Sequence, residues 1–79
     1  MTCRDEILEA VHQVLLRTTG DAFTVQQIVD EMRARNTLYE ESTIRTHVTS
    51  RMCTNAPDNH AVVHRDLERI DSGTYRLLA

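Results

Sequence analysis

The spacing of apolar residues changes once along the chain, and this change limits the fold more than any other feature of the sequence. Up to about residue 53, apolar side chains recur every three or four positions, which is the period of an amphipathic α-helix. Further on, from about residue 62, they alternate with polar side chains, as in a β-strand. Glycine and proline together account for only three of the 79 residues. The sequence therefore predicts one α+β domain over residues 1–79, with helices first and a short hairpin last.

Three helices are predicted, over residues 3–18, 25–35 and 41–53. Thr2 is placed to cap the first helix, and Gly20 is expected to stop it. Thr24 and Gln27 form the Thr-x-x-Gln pattern of a capping box, which marks the start of the second helix. A short connection of about five residues then leads to the third helix, as in a helix-turn-helix.

The third predicted helix carries a regular apolar stripe. Ile44, Val48 and Met52 lie four residues apart, so they share one face of a helix. We expect Ile44 and Val48 to be buried against Leu15 and Ile28. This register fixes which side of the helix is left for solvent or for a ligand.

The last part of the chain, about residues 62–78, predicts a two-stranded β-hairpin. Residues 71–74, Asp-Ser-Gly-Thr, supply the turn, and Gly73 is expected to adopt a positive φ. A lone hairpin is marginal in water, so it must pack on the helices. The apolar side chains expected to anchor it are Leu67, Tyr75 and Leu77.

Three helices followed by a hairpin form the layout of a winged helix-turn-helix domain. In that layout the third helix presents its outer face to the major groove of DNA, and the hairpin is a wing that lies near the DNA backbone. Between Ser42 and Pro57 there are two arginines and no acidic residue. The side chains predicted to bind DNA are Ser42, Thr43, Arg45, Thr46, Thr49, Arg51 and, in the wing, Arg76.

Each predicted contact has an expected role. Arg45 is expected to read a base edge, because arginine can hold guanine with two hydrogen bonds. Arg51 is expected to contact a phosphate, and Arg76 to touch the DNA backbone as the most clearly exposed arginine of the wing. The opposing interpretation is that these side chains form a solvated helix surface. Glu40 and Glu41, at the entrance of the helix, would repel phosphate.

The overall charge keeps a second class of function open. All nine basic residues are arginine, against twelve acidic residues, for a net charge of −3. A basic excess is usual in proteins that coat nucleic acid, so such a role is disfavoured. The arginine bias fits either phosphate recognition or a GC-rich coding sequence. The acidic balance favours the alternative of a protein–protein interaction module.

Metal binding and catalysis are not expected. Cys53, His60 and His64 form a Cys-x6-His-x3-His pattern, with His47 nearby, but the paired cysteines of a zinc site are missing. Cys3 is expected at a frayed N-terminus, and both cysteines as free thiols. No catalytic motif is present. The sequence thus predicts neither an enzyme nor a cofactor.

A family resemblance rests on six segments, which are Tyr39–Val48, Ser50–Cys53, Asn55–Pro57, Asn59–Ala61, Asp66–Arg69 and Gly73–Leu77. Together they resemble winged-helix DNA-binding domains, and in particular a small uncharacterised bacterial and phage family, from about Arg4 to Leu78. The resemblance implies a DNA-binding fold and supplies no operator, catalytic residue or partner. We therefore expect a small cytoplasmic transcriptional regulator that binds double-stranded DNA. We do not expect it to bind a membrane. A homodimer and a protein partner remain open.

Overall fold

The computed structural model of the chain describes residues 2–55 and 64–78. Its elements, in chain order, are α1 (Cys3–Arg17), β1 (Ala22–Thr24), α2 (Val25–Ala34), α3 (Glu41–Thr46), a π-helical turn (His47–Arg51), β2 (Leu67–Asp71) and β3 (Thr74–Leu77). The π-helical turn continues α3 directly, and the two together are called the third helix below. The described helices include none with the length and apolarity needed to span a bilayer. The architecture is α+β, with three helices and one antiparallel sheet.

The sheet has three strands in the order β1-β3-β2, rather than the two strands predicted. Phe23 of β1 lies opposite Tyr75 of β3, and the two buried rings stack with their centroids 6.5 Å apart. β1 was missed because it has three residues and only Phe23 is buried, which is too short for a recognisable alternation. The first strand of the hairpin begins at Leu67, whereas the hairpin was predicted to begin at about residue 62. Residues 62–63 of that prediction lie outside the described residues.

The hairpin turn consists of Ser72 and Gly73. Gly73 has a φ of 70°, as predicted, a conformation that L-residues with a side chain rarely adopt. Thr74, which was predicted to belong to the turn, already pairs with Thr24 as the first residue of β3. The carbonyl oxygen of Gly73 accepts a hydrogen bond from the Val25 amide at 3.2 Å. The β2–β3 hairpin is therefore short, and its turn is held against the start of α2.

Side-chain caps define where the first two helices begin. Thr24 Oγ1 accepts from the Gln27 amide at 3.1 Å, and Gln27 Oε1 accepts from the Thr24 amide at 2.8 Å, which confirms the capping box. Thr2 caps α1, as predicted. α1 ends at Arg17, because Thr18 is already extended with a φ of −108°. Gly20 is therefore not the residue that stops the helix.

The core lies between the helices and one face of the sheet. Ile44 and Val48 are buried, as predicted, in the same cluster as Ile28, and the half-buried Leu15 packs against that cluster. Cys3 is only 5% exposed, so it belongs to the core and not to a frayed terminus. Its position follows from the cap on Thr2, which fixes the first turn of α1 and turns Cys3 inward.

The third helix is not a continuous α-helix over residues 41–53. Its second half is a π-helical turn in which the Met52 amide donates to the His47 carbonyl at 2.8 Å, five residues back. Side chains that bond to carbonyls four residues earlier compete with the α-helical pattern and bend helices. Thr49 does so here, with its Oγ1 2.7 Å from the Arg45 carbonyl oxygen. The helix ends before Cys53, which forms a bridge with Leu67 of β2.

Candidate nucleic-acid interface

The outer side of the third helix contains a shallow depression of about 250 Å³, called the helix-three depression. It is lined by Ser42, Thr43, Thr46, His47 and Arg51. Four of the seven side chains predicted to bind DNA meet here, and none of the lining residues is acidic. Thr49, Arg45 and Arg76 are not among them. The structure thus divides the predicted site into one group that shares a surface and three side chains outside it.

Two threonine hydroxyls of this helix, those of Thr46 and Thr49, are already engaged with its backbone. Thr46 Oγ1 donates to the Ser42 carbonyl at 2.9 Å, four residues earlier. A hydroxyl that donates in this way still offers its oxygen as an acceptor. Thr46 can therefore accept from a base amino group without breaking its helical bond, whereas contact with a phosphate oxygen requires the hydroxyl to rotate.

His47 joins the helix-three depression although it was not predicted as a contact. Its Nδ1 lies 2.9 Å from the Thr43 carbonyl oxygen. A carbonyl can only accept, so Nδ1 carries the hydrogen and Nε2 is left for another partner. The four-residue spacing of Thr43 and His47 is visible in the sequence and was the signal that could have placed this ring.

Arg45 is held on the α2 side of the third helix. Its Nε donates to Glu41 Oε2 at 2.8 Å, and its Nη2 donates to Gln26 Oε1 at 2.5 Å. Glu41 also accepts from Arg33 Nη2 at 2.9 Å. The hydrogen bond from Arg45 lowers the pKa of Glu41, and so do the charges of Arg45 and Arg33. Glu41 and Gln26 therefore occupy the guanidinium that was predicted to read a base edge, and Arg45 would have to release them to do so.

Most arginines of the described chain are paired with carboxylates. Those that form ion pairs are Arg4, Arg17, Arg33, Arg35, Arg45 and Arg76. Arg51, Arg65 and Arg69 form none with a described residue, and all three are exposed. Only Arg51 among these lines the helix-three depression. It is thus the cation of this surface that pairs with no described carboxylate.

Arg76 lies on the central strand, on the sheet face opposite the buried Tyr75. Its Nε donates to Glu68 Oε1 at 2.5 Å, across the β2–β3 pair. Arg76 is exposed, as predicted, but its guanidinium is paired with Glu68, so a contact with the DNA backbone would have to displace that carboxylate. In the turn, the Ser72 amide donates to Asp71 Oδ1 at 2.7 Å, so this amide already has a carboxylate partner.

The cysteine and histidine pattern does not form a metal site in the described part of the chain. No group of three or more histidine, cysteine, aspartate or glutamate side chains there is arranged to hold a metal ion. Cys53 is buried, and its thiol lies 3.3 Å from Asn55 Oδ1. His60 lies outside the described residues.

The fold and this surface define a class of small α+β domains with three helices, a three-stranded antiparallel sheet and a polar, acid-free helix face. The chain belongs to the family described as Domain of unknown function (DUF7669), whose model matches residues 4–77. No curated protein and no solved structure matches the chain.

Proposed function

We propose that the chain binds double-stranded DNA as a small transcriptional regulator of the winged helix-turn-helix class. In this assignment α2 and the third helix form the helix-turn-helix, and the β2–β3 hairpin is the wing. The observation that carries the proposal is the helix-three depression, which combines short hydroxyl side chains, one imidazole and Arg51 without an acidic residue. Hydroxyls and arginine are side chains that contact DNA phosphates and base edges.

The ion pairs and the helix-three depression change which side chains are proposed to contact which part of the DNA. Arg51 is assigned to a phosphate, while Ser42 and Thr46 are assigned to base edges or to the backbone. Arg45 can contact DNA as well only if its guanidinium releases the Glu41 carboxylate and binds DNA in its place. Thr49 and Arg76 are left out of the proposed contact because they lie outside the helix-three depression.

A salt titration of DNA affinity tests the proposal. The complete chain is titrated into a fluorescent mixed-sequence duplex, and anisotropy is recorded over a range of salt concentrations. DNA binding predicts a linear fall of log affinity with log salt, with a slope of about 0.9 for each phosphate contact. Arg51→Gln is expected to weaken binding to every sequence and to lower the slope by about one.

Arg17→Gln is the matched control, because Arg17 is an exposed arginine at the far end of α1 and is paired with Glu31. It is expected to leave the slope unchanged. Absence of binding at low salt, or a slope insensitive to Arg51→Gln, would contradict the assignment.

A second candidate function is protein–protein interaction, which the exposed leucines favour. Leu38, in the connection between α2 and α3, is 98% exposed, and Leu16 on α1 is 77% exposed. The net charge of −3 also disfavours contact with a polyanion. Failure to bind duplex at low salt, with a folded protein, would favour this function.

A further inference from the structure

A second depression adjoins the helix-three depression at the point where the third helix meets the start of α1. This junction depression has a volume of about 190 Å³ and is lined by Thr2, Cys3, Arg4, His47, Arg51 and His64. His47 and Arg51 line both depressions, so the two form one continuous strip. We propose that the junction depression binds a phosphodiester group of the DNA backbone and that His47 and His64 make this binding proton-dependent. This proposal rests on the proposed function. It adds the place where the DNA backbone binds and a dependence of DNA affinity on pH.

The backbone holds the two ends of this site together. The His64 amide donates to the Arg51 carbonyl at 2.8 Å, and the Leu67 amide donates to the Met52 carbonyl at 2.8 Å. These bonds fix the segment before β2 against the end of the third helix. His64 and Arg51 are therefore neighbours by a main-chain contact rather than by a chance approach of two surface side chains.

Among the side chains that line the junction depression, one full positive charge has no carboxylate partner in the described part of the chain. Arg4 donates from Nε and Nη2 to the two carboxylate oxygens of Asp66, at 2.7 and 2.8 Å, so its charge is matched locally. Burial raises the pKa of the Cys3 thiol, and the Glu6 carboxylate raises it further, so this group is neutral. Arg51 is left as the cation that faces the depression without a described carboxylate.

Two other charged groups near the start of α1, Asp5 and Glu6, already have hydrogen-bond partners. The Asp5 carboxylate accepts from the Thr2 amide at 3.1 Å, and Glu6 accepts from Thr37 Oγ1 at 3.0 Å. The N-terminus of α1 is therefore already matched by Asp5. The proposed site depends on the side chains of Arg51, His47 and His64, and not on the helix terminus.

The two imidazoles determine how affinity depends on pH. Histidine is the side chain whose ordinary charge change falls between about pH 5 and 8, whereas a phosphodiester keeps one negative charge throughout. An anion bound beside an imidazole favours the protonated form, so binding takes up protons. Affinity should then rise as pH falls, by up to about tenfold per pH unit for each proton taken up.

The test measures duplex affinity between about pH 5 and 8 at constant ionic strength. The wild-type chain is expected to bind more tightly at low pH. His64→Gln is expected to reduce this pH dependence, and His47→Gln combined with His64→Gln to abolish most of it. His12→Gln, on the exposed part of α1 and away from the junction depression, is the matched control and is expected to behave like wild type.

His47 is bonded to Thr43, so its replacement could disturb the helix. For this reason His64→Gln is also measured alone. NMR spectra of the wild-type histidine rings provide a second measurement, in which added duplex is expected to shift the signals of His47 and His64 and to leave those of His12 unchanged. If the double variant binds duplex with the same pH dependence as the wild type, the proposed site is wrong and the proposed function still stands. Absence of duplex binding at every pH overturns both.

Discussion

Among single residues, Ile44 offers the most direct test of the register of the third helix. It is 1% exposed and lies in the main cluster with Val48 and Ile28. Ile44→Ala should reduce the free energy of unfolding by about 2–5 kcal/mol, because it removes buried methyl groups and leaves a cavity. Urea denaturation measures this loss. Leu38→Ala is the control, since Leu38 is almost fully exposed, and equal stability of the two variants would contradict the register.

A second test at the level of single residues concerns Gly73, in the turn of the β2–β3 hairpin. Its φ of 70° is unfavourable for a residue with a Cβ, although no atom lies within 4 Å of the place where a Cβ would be. Gly73→Ala should therefore lower stability through backbone strain alone, by about 1–2 kcal/mol. Thermal unfolding compares it with Gly20→Ala, where φ is not left-handed and the nearest atom is 4.0 Å away. A loss of the same size in both variants would show that the turn is not the cause.

At the scale of elements, the ion pairs of Glu41 couple α2 to the third helix and restrain Arg45. Glu41→Gln removes one negative charge from the entrance of the proposed reading helix and weakens the hold on Arg45. We expect duplex affinity at low salt to increase up to about fivefold, because a surface charge interaction contributes up to about 1 kcal/mol and this energy corresponds to about a fivefold change in affinity. Anisotropy titration measures the change.

Glu9→Gln is the control for this change, because it neutralises an acid of α1 that pairs with Arg35. Its effect on affinity should be small. An unchanged or lower affinity in Glu41→Gln would mean that Arg45 does not take part in DNA contact.

The sequence predicted the elements well where a buried helix face or an N-terminal cap was involved. Thr24 with Gln27 located the start of α2, and the spacing of Ile44 and Val48 located the buried side of the third helix. The π-helical turn could not be predicted in this way. Residues four apart stay on the same buried side whether the backbone hydrogen bonds of the turn reach back four residues or five. β1 depended on pairing with β3, a contact that is remote in sequence.

The candidate site was less predictable because ion pairs set which arginines are free. The spacing of Glu41 and Arg45 is that of a helical ion pair and was readable from the sequence. The contact of Arg45 with Gln26, and that of Arg76 with Glu68, depend on how elements pack or pair. Composition shows the number of arginines, and only the fold shows that Arg51 faces the depression without a described carboxylate.

Over the whole molecule, carboxylates paired with arginine should make stability fall in acid. The pKa of Glu31 lies below its ordinary value of 4.5, chiefly because Arg17 and then Arg35 donate hydrogen bonds to it. Its contribution is therefore present above the unfolded-state pKa and is lost as pH falls through the lower folded-state value. The urea midpoint should decline below about pH 4.5, and Glu31→Gln should flatten this decline.

Glu40→Gln is the control, since Glu40 forms no ion pair with a described residue and should keep the wild-type decline. A Glu31→Gln curve that runs parallel to wild type would show that this ion-pair cluster does not govern acid sensitivity.

The central position of β3 also sets when the fold can be completed during synthesis. Among the described strands β3 comes last in the chain, yet β1 and β2 each pair with it and not with one another. A ribosome therefore delivers two strands that have no partner until residues 74–77 emerge. Unpaired strand edges are prone to associate with other chains, so the nascent protein is most exposed to aggregation just before these residues appear. Their arrival closes both strand pairs at once and brings Tyr75 onto Phe23.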